Sequence, residues 1–160
     1  MYFINIYKYY IKYNDNMFIR NQFRLFNLQI RNNSTIIRFT NSHEYIKKND
    51  GFYTLGITKF LSRKVNPIIY SELYAKQGSV IKKNQPLLLL ESAATTKTIT
   101  SPFNCIIKRV NSEIVNDPYI INTDPLESGW LFEIYIQKQL LYNNDEILTE
   151  DEYNKFIEKQ

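Results

Sequence analysis

Chemistry that relies on a nucleophile, a metal or a proton shuttle needs its groups in sets, and this chain supplies single members. Cys105 is the one cysteine and His43 the one histidine, so an internal disulfide, a multi-ligand zinc site and a Cys-His hydrolytic pair each lack parts. His43 sits next to Glu44, an arrangement that reads as a hydrogen-bonded structural pair before it reads as a proton shuttle. Asp124 and Glu127, close to Gly129, read as turn acids without the desolvated partner that general acid work requires. Lys82, Lys83, Lys108 and Arg109 make either a basic patch or, more simply, solvated strand ends.

These residues lie on short segments separated by turn residues every several positions, a pattern that predicts a small all-β barrel or sandwich. Ile36 to Thr40 and Glu44 to Lys47 read as strands, with Asn49-Asp50-Gly51 as the turn before a strand from Phe52 to Ile57. In that strand Tyr53, Leu55 and Ile57 share a face by period two. Thr58 reads as the N-cap of a short helix reaching Lys64, because its hydroxyl can satisfy a free backbone amide. Pro67 closes that helix and opens a strand from Ile68 to Leu73. Late in the chain, Trp130, Phe132, Ile134 and Ile136 are expected to face the core, with Leu131, Glu133, Tyr135 and Gln137 on the other side. Thr149-Glu150-Asp151-Glu152 is a capping box for a C-terminal helix whose apolar stripe includes Tyr153, Phe156 and Ile157, with Leu148 placed to staple onto Tyr153. Acids at its start and Lys155 and Lys159 near its end suit the helix dipole.

With 160 residues, 44% of them hydrophobic, the chain is long enough for one sizeable core. Its net charge of +4 is carried by residues 1–34, where Lys8, Lys12, Arg20, Arg24 and Arg31 face Asp15 alone. Residues 35–160 are neutral overall and set up no field for a polyanion, so nucleic acid is not an expected partner. The basic, nearly acid-free leader with interspersed aromatic and aliphatic residues reads as a mitochondrial transit peptide, or alternatively as a disordered basic tail. No apolar run approaches the length needed to span a bilayer, and no membrane association is expected.

Ser42-His43-Glu44-Tyr45, Leu55-Gly56-Ile57-Thr58, Gly78-Ser79-Val80-Ile81-Lys82-Lys83, Glu91-Ser92, Ser101-Pro102 and Gly129-Trp130-Leu131-Phe132-Glu133-Ile134 follow one another in the order and near the spacing of the glycine cleavage system H protein. On these segments, which cover roughly residues 36 to 159, the chain resembles that lipoyl-carrier family; the pieces at Ser42 and Gly129 favour it over acyltransferase lipoyl domains. The resemblance implies a mainly β, lipoyl-domain-like barrel-sandwich hybrid with short helices and a C-terminal helix, occupying 35–160. Asn84 stands where the family pattern usually has Gly and is expected to keep a left-handed backbone. Asn104-Cys105 replaces a family Ser-Gly pair. Because a left-handed cysteine costs on the order of 1 kcal/mol, that turn is expected to change shape or to move its left-handed residue to Asn104.

The resemblance also implies a function: carriage of an aminomethyl group on a lipoyl arm among glycine decarboxylase, aminomethyltransferase and dihydrolipoamide dehydrogenase, in the mitochondrial matrix. Such a protein is a mobile substrate and not an enzyme, and it needs a lipoate ligase to be loaded. The family's acceptor lysine lies three residues after the Glu of Glu-Ser and eight before the Pro of Ser-Pro. Counting from Glu91 and from Pro102 reaches the same residue, Ala94. Its methyl group cannot form the amide. Lys97 is the displaced candidate, expected on the return strand facing away from position 94, unless a bulge in Thr95 to Thr98 re-aims it. The alternative is a non-lipoylated binding, regulatory or structural subunit that keeps the scaffold, in which Glu91, Ser92, Ser101 and Pro102 serve the hairpin.

Overall fold

The structure, a computed structural model, describes residues 36–137 and 146–160; the leader read at 1–34 lies outside them. Within these residues ten strands and four helices follow in chain order. They are β1 (Ile37–Thr40), β2 (Glu44–Lys48), β3 (Tyr53–Ile57), α1 (Lys59–Lys64), β4 (Ile68–Leu73), β5 (Val80–Ile81), β6 (Pro86–Ser92) and β7 (Thr96–Thr100), then β8 (Cys105–Val110), α2 (Glu113–Asn116), α3 (Ile120–Thr123), β9 (Phe132–Tyr135), β10 (Ile147–Leu148) and α4 (Glu150–Ile157). A seven-stranded sheet has the order β10-β1-β2-β3-β9-β8-β5, and a three-stranded sheet the order β4-β6-β7. Every pairing is antiparallel. Both sheets contribute to one core, in which Leu55, Ile57, Phe132 and Ile134 of the larger sheet join Leu87, Leu88, Leu90 and Ile99 of the smaller. This is the mainly β barrel-sandwich architecture, with short helices and a terminal helix, that the sequence implies.

Local chemistry starts and stops the elements where expected. Gly51, at φ 79°, supplies the left-handed residue between β2 and β3. The Thr58 side chain accepts from Leu61 N at 3.3 Å and caps α1. At α4 the Thr149 and Glu152 side chains bond each other's backbone amides in a complete capping box. Asn84 takes φ 68° as the third residue of a turn closed by Gln85 N donating to Lys82 O. In the Asn104-Cys105 turn neither residue is left-handed. The turn has changed shape: Asn104 Oδ1 accepts from Lys83 N at 2.8 Å, and Cys105 opens β8 as an ordinary extended residue.

Two expectations for the last strand are corrected. Trp130 is not in the core; it is half-buried beneath the Arg109 guanidinium. Leu131, assigned to the outer side by alternation, is completely buried. The strand proper begins only at Phe132, so period-two alternation does not govern the two residues before it.

Gly56 is a point of close approach in the seven-stranded sheet. It lies opposite Tyr45, and a Cβ added there would sit 2.5 Å from the tyrosine ring. Tyr45 is fully buried, and its hydroxyl donates to Pro125 O at 2.9 Å, so the ring has no room to yield. Gly56→Ala is therefore expected to destabilise the fold by about 1–3 kcal/mol, as overpacking does, read as a lower urea midpoint with an unchanged slope. A midpoint equal to that of the parent chain would show that the ring moves freely.

Candidate functional site

The hairpin between β6 and β7 carries the positions singled out by the two counts. Its ladder sets Glu91 opposite Thr96, Leu90 opposite Lys97 and Leu89 opposite Thr98. Ser92 builds the tip: its amide donates to Thr95 O at 2.8 Å, and its hydroxyl accepts from Thr95 N at 3.1 Å and donates to Thr95 O at 3.1 Å. A serine that bonds the backbone three residues on closes a turn without glycine. Ala93, Ala94 and Thr95 project from this closed tip and are exposed. At its outermost point the hairpin thus offers a methyl group.

Lys97 lies elsewhere. β7 pairs with β6 without irregularity from Thr96 to Ile99, so no bulge forms in Thr95 to Thr98. Residues directly opposite in a ladder project from the same face, and Leu90, the partner of Lys97, is completely buried. Lys97 consequently starts from the inward side of the small sheet and is half-buried. Its positive charge reaches His43 and Glu44 at the start of β2 and bears on the protonation of both.

His43 and Glu44 form a polar corner that local sequence does not advertise. His43 adopts φ 73° at the turn before β2. Its Nδ1 lies 2.9 Å from the Tyr153 hydroxyl, which in turn lies 2.8 Å from Thr58 Oγ1. The Tyr153 hydroxyl thus ties α4 both to the turn before β2 and to the start of α1. Phe39 stacks on Tyr153 at 4.7 Å, and Phe60 and Phe156 flank the imidazole. Burial lowers the His43 pKa, and the charges of Lys64 and Lys97 lower it further. Glu44 is buried, accepting from the hydroxyl of Thr40 at the end of β1 while its amide donates to Thr40 Oγ1 at 3.0 Å. Burial raises its pKa despite the Thr40 bond and the Lys97 charge. Tyr153 was read only as part of a helix stripe; the role of its hydroxyl depends on a partner 110 residues away.

Ser101 and Pro102 sit at the opposite end of the hairpin. Ser101 is fully buried, and its hydroxyl donates to Phe103 O at 2.7 Å while its backbone ties to Gln85 and Asn84. Cys105 is buried beside it, and burial pushes its thiol pKa up, away from a reactive thiolate. Asp124 is a turn acid, its carboxylate accepting the Ser128 amide at 2.9 Å and hydroxyl at 2.7 Å, and Glu127 pairs with Lys47 at 2.8 Å. The four basic residues do not act as one patch. Lys83 pairs with Glu146, while Lys108 and Arg109 both bind Glu133.

A family model described as glycine cleavage H-protein matches residues 37–160. The chain belongs to the glycine cleavage H-protein family. It is 32% identical over 124 residues to a probable glycine cleavage system H protein of Aeropyrum pernix, spanning 78% of this chain and 85% of that one. It is 27% identical over 134 residues to probable glycine cleavage system H protein 1, mitochondrial, of Dictyostelium discoideum, spanning 83% and 90% of the two chains. Among solved structures, a glycine cleavage system H protein from Mycobacterium marinum superposes with a TM-score of 0.64 at 25% identity, covering 76% of this chain and 95% of that one. Membership in this lipoyl-carrier family brings the lipoyl group into question for the hairpin. The amide that would hold it needs a primary amine, and at the position reached by counting from Glu91 and Pro102 the hairpin presents the Ala94 methyl.

The polar corner has a measurable pH signature. His43 has a folded pKa below its ordinary 6.5, so its contribution to stability is complete above about pH 6.5 and is lost as pH falls toward the folded value. Glu44 has a folded pKa above its ordinary 4.5, so its contribution is complete below about pH 4.5 and is lost as pH rises through the raised value. In thermal melts across this range, His43→Asn, which tolerates the left-handed backbone, is expected to flatten the acid-side fall. Glu44→Gln is expected to flatten the fall on the other side. An unaltered profile in Glu44→Gln would mean that the carboxyl is as well solvated folded as unfolded.

Proposed function

We propose that this chain is an arm-free member of the glycine cleavage system: a subunit that keeps the H-protein scaffold and its docking surfaces but carries no lipoyl group. The observation that supports this reading is the exposed Ala94 methyl at the apex of a hairpin closed by Ser92. Lys97 is an unsuitable substitute, because it leaves the strand on the side of buried Leu90 and is half-buried. A ligase reading hairpin geometry must meet the amine at the tip. The retained residues have structural work that does not depend on an arm: Ser92 builds the turn, Ser101 anchors the far end, and Glu91 pairs across both neighbouring strands.

In this reading glycine decarboxylase, aminomethyltransferase and dihydrolipoamide dehydrogenase are the classes of partner, and the protein binds one or more of them without turnover of its own. The mitochondrial matrix is the proposed location, supported by the basic leader and by the mitochondrial description of the Dictyostelium relative.

Intact mass after coexpression with a lipoate ligase and lipoate tests the proposal. The parent chain is expected to stay unmodified, whereas Ala94→Lys gains one lipoyl increment because the tip remains recognisable. A lipoyl increment on the parent chain that disappears in Lys97→Ala would overturn the arm-free reading and make Lys97 the carrier residue.

A further inference from the structure

A second surface stands out on the outer face of the seven-stranded sheet. Val80 pairs with Ile106, and Ile106 with Tyr135, so these three side chains form one row across β5, β8 and β9. All three are exposed, Val80 at 76% the most of any large apolar residue described. A groove of about 650 Å³ runs beside the row, lined by Gly78, Ile106, Tyr135, Lys108, Arg109 and Glu133 among others. Two bulges shape it. Gly78, at φ 81°, donates to Ile107 O at 2.8 Å while Ile107 N donates to Ser79 O at 3.0 Å, placing two residues opposite one. A second irregularity between Ile107 and Arg109 lets consecutive residues reach the same carboxylate.

That carboxylate is Glu133, the sole acid lining the groove among the described residues. Lys108 Nζ lies 2.8 Å from its Oε2 and Arg109 Nη2 lies 2.6 Å from its Oε1. Burial raises the Glu133 pKa, but the two cations outweigh it and hold the carboxyl below its ordinary value. One buried negative charge against two cations leaves the groove with an excess of positive charge, and the Arg109 side chain is 59% exposed. Both cations are held in place before any ligand arrives: Lys108 Nζ lies 3.3 Å from the centre of the Phe52 ring, and Arg109 lies 4.6 Å from that of Trp130. Side chains already ordered cost less entropy to engage.

We propose that this groove docks an acidic, apolar segment of a partner protein. An aliphatic or aromatic side chain of the segment covers the Val80–Ile106–Tyr135 row, and a carboxylate meets Arg109 and Lys108. A second copy of this chain is the poorer occupant, since a two-fold contact would set one positive groove against another. The proposal stands on residues remote in sequence from the hairpin tip and does not depend on whether an arm is attached.

Trp130 is the chain's one tryptophan, so its emission reports on the groove through Arg109. The full chain is titrated with a tryptophan-free synthetic peptide alternating glutamate with leucine, and with counterparts carrying lysine for glutamate or serine for leucine. Saturable binding is expected for the first peptide alone, weakening with added salt. Arg109→Glu and Val80→Asp are each expected to weaken it at least about fivefold, while Tyr70→Asp, at an exposed site on β4, leaves it unchanged. Circular dichroism confirms that each variant folds, and Val80, outside the Glu133 cluster, keeps the test valid if Arg109→Glu does not. Absence of saturation, equal binding of the lysine peptide, or an equal loss in Tyr70→Asp would overturn the proposal. So would concentration-dependent self-association of the parent chain that Val80→Asp abolishes, since the occupant would then be a second copy.

Discussion

The ladder between β6 and β7 is the constraint on which the functional reading depends. Once Leu90 is buried and Lys97 lies opposite it, the two-residue period of a strand settles the faces of the regular stretch from Leu88 to Glu91 and from Thr96 to Ile99. Glu91 and Thr96 form the next pair toward the tip, Ser92 closes the turn, and Ala94 is carried to the outermost point. Shifting β7 by one residue would bring Lys97 outward only by expelling Ile99, which is completely buried on the same face of that strand, from the core, where full burial of an isoleucine is worth about 1.5–3 kcal/mol. Core packing therefore decides which amine a modifying partner can reach.

Two buried carboxylates show how differently the same fold handles a desolvated charge. Glu133 receives two cations at short range from consecutive residues of β8, an arrangement that compensates burial and keeps the group ionised. Glu44 receives a hydroxyl and the more distant field of Lys97, and burial prevails. The first yields a fixed positive surface with stiffened arms; the second yields a group whose charge is open to change. Both sit at the mouths of surfaces, on opposite sides of the molecule's chemistry: one beside the hairpin face that bears Lys97, the other beside the apolar row at β5.

Much of the fold was legible because it rests on local rules. The cap at Thr58, the capping box at Thr149, the left-handed Asn84 and the alternation of Tyr53, Leu55 and Ile57 each involve residues a few positions apart, where side-chain size and hydrogen-bonding capacity act directly. Trp130 and Leu131 were misplaced because alternation holds only inside a paired strand, and theirs begins at Phe132. The basic residues were misjudged for a similar reason. Lys108 and Arg109 look like adjacent solvated side chains until a bulge turns both toward an acid 24 or 25 positions downstream.

By itself, the amino-acid order determined that no thiol pair, histidine cluster or amine at position 94 was available, since those are properties of residue type and spacing. It also determined the all-β character, through short alternating segments and the turns between them. Only the tertiary structure decided that Lys97 starts from the packed side, that Tyr153 meets His43 and Thr58, and that Val80, Ile106 and Tyr135 line up beside two cations. Each of those facts is a juxtaposition of strands and helices far apart in the chain, produced by burying one continuous core, and no local preference encodes it.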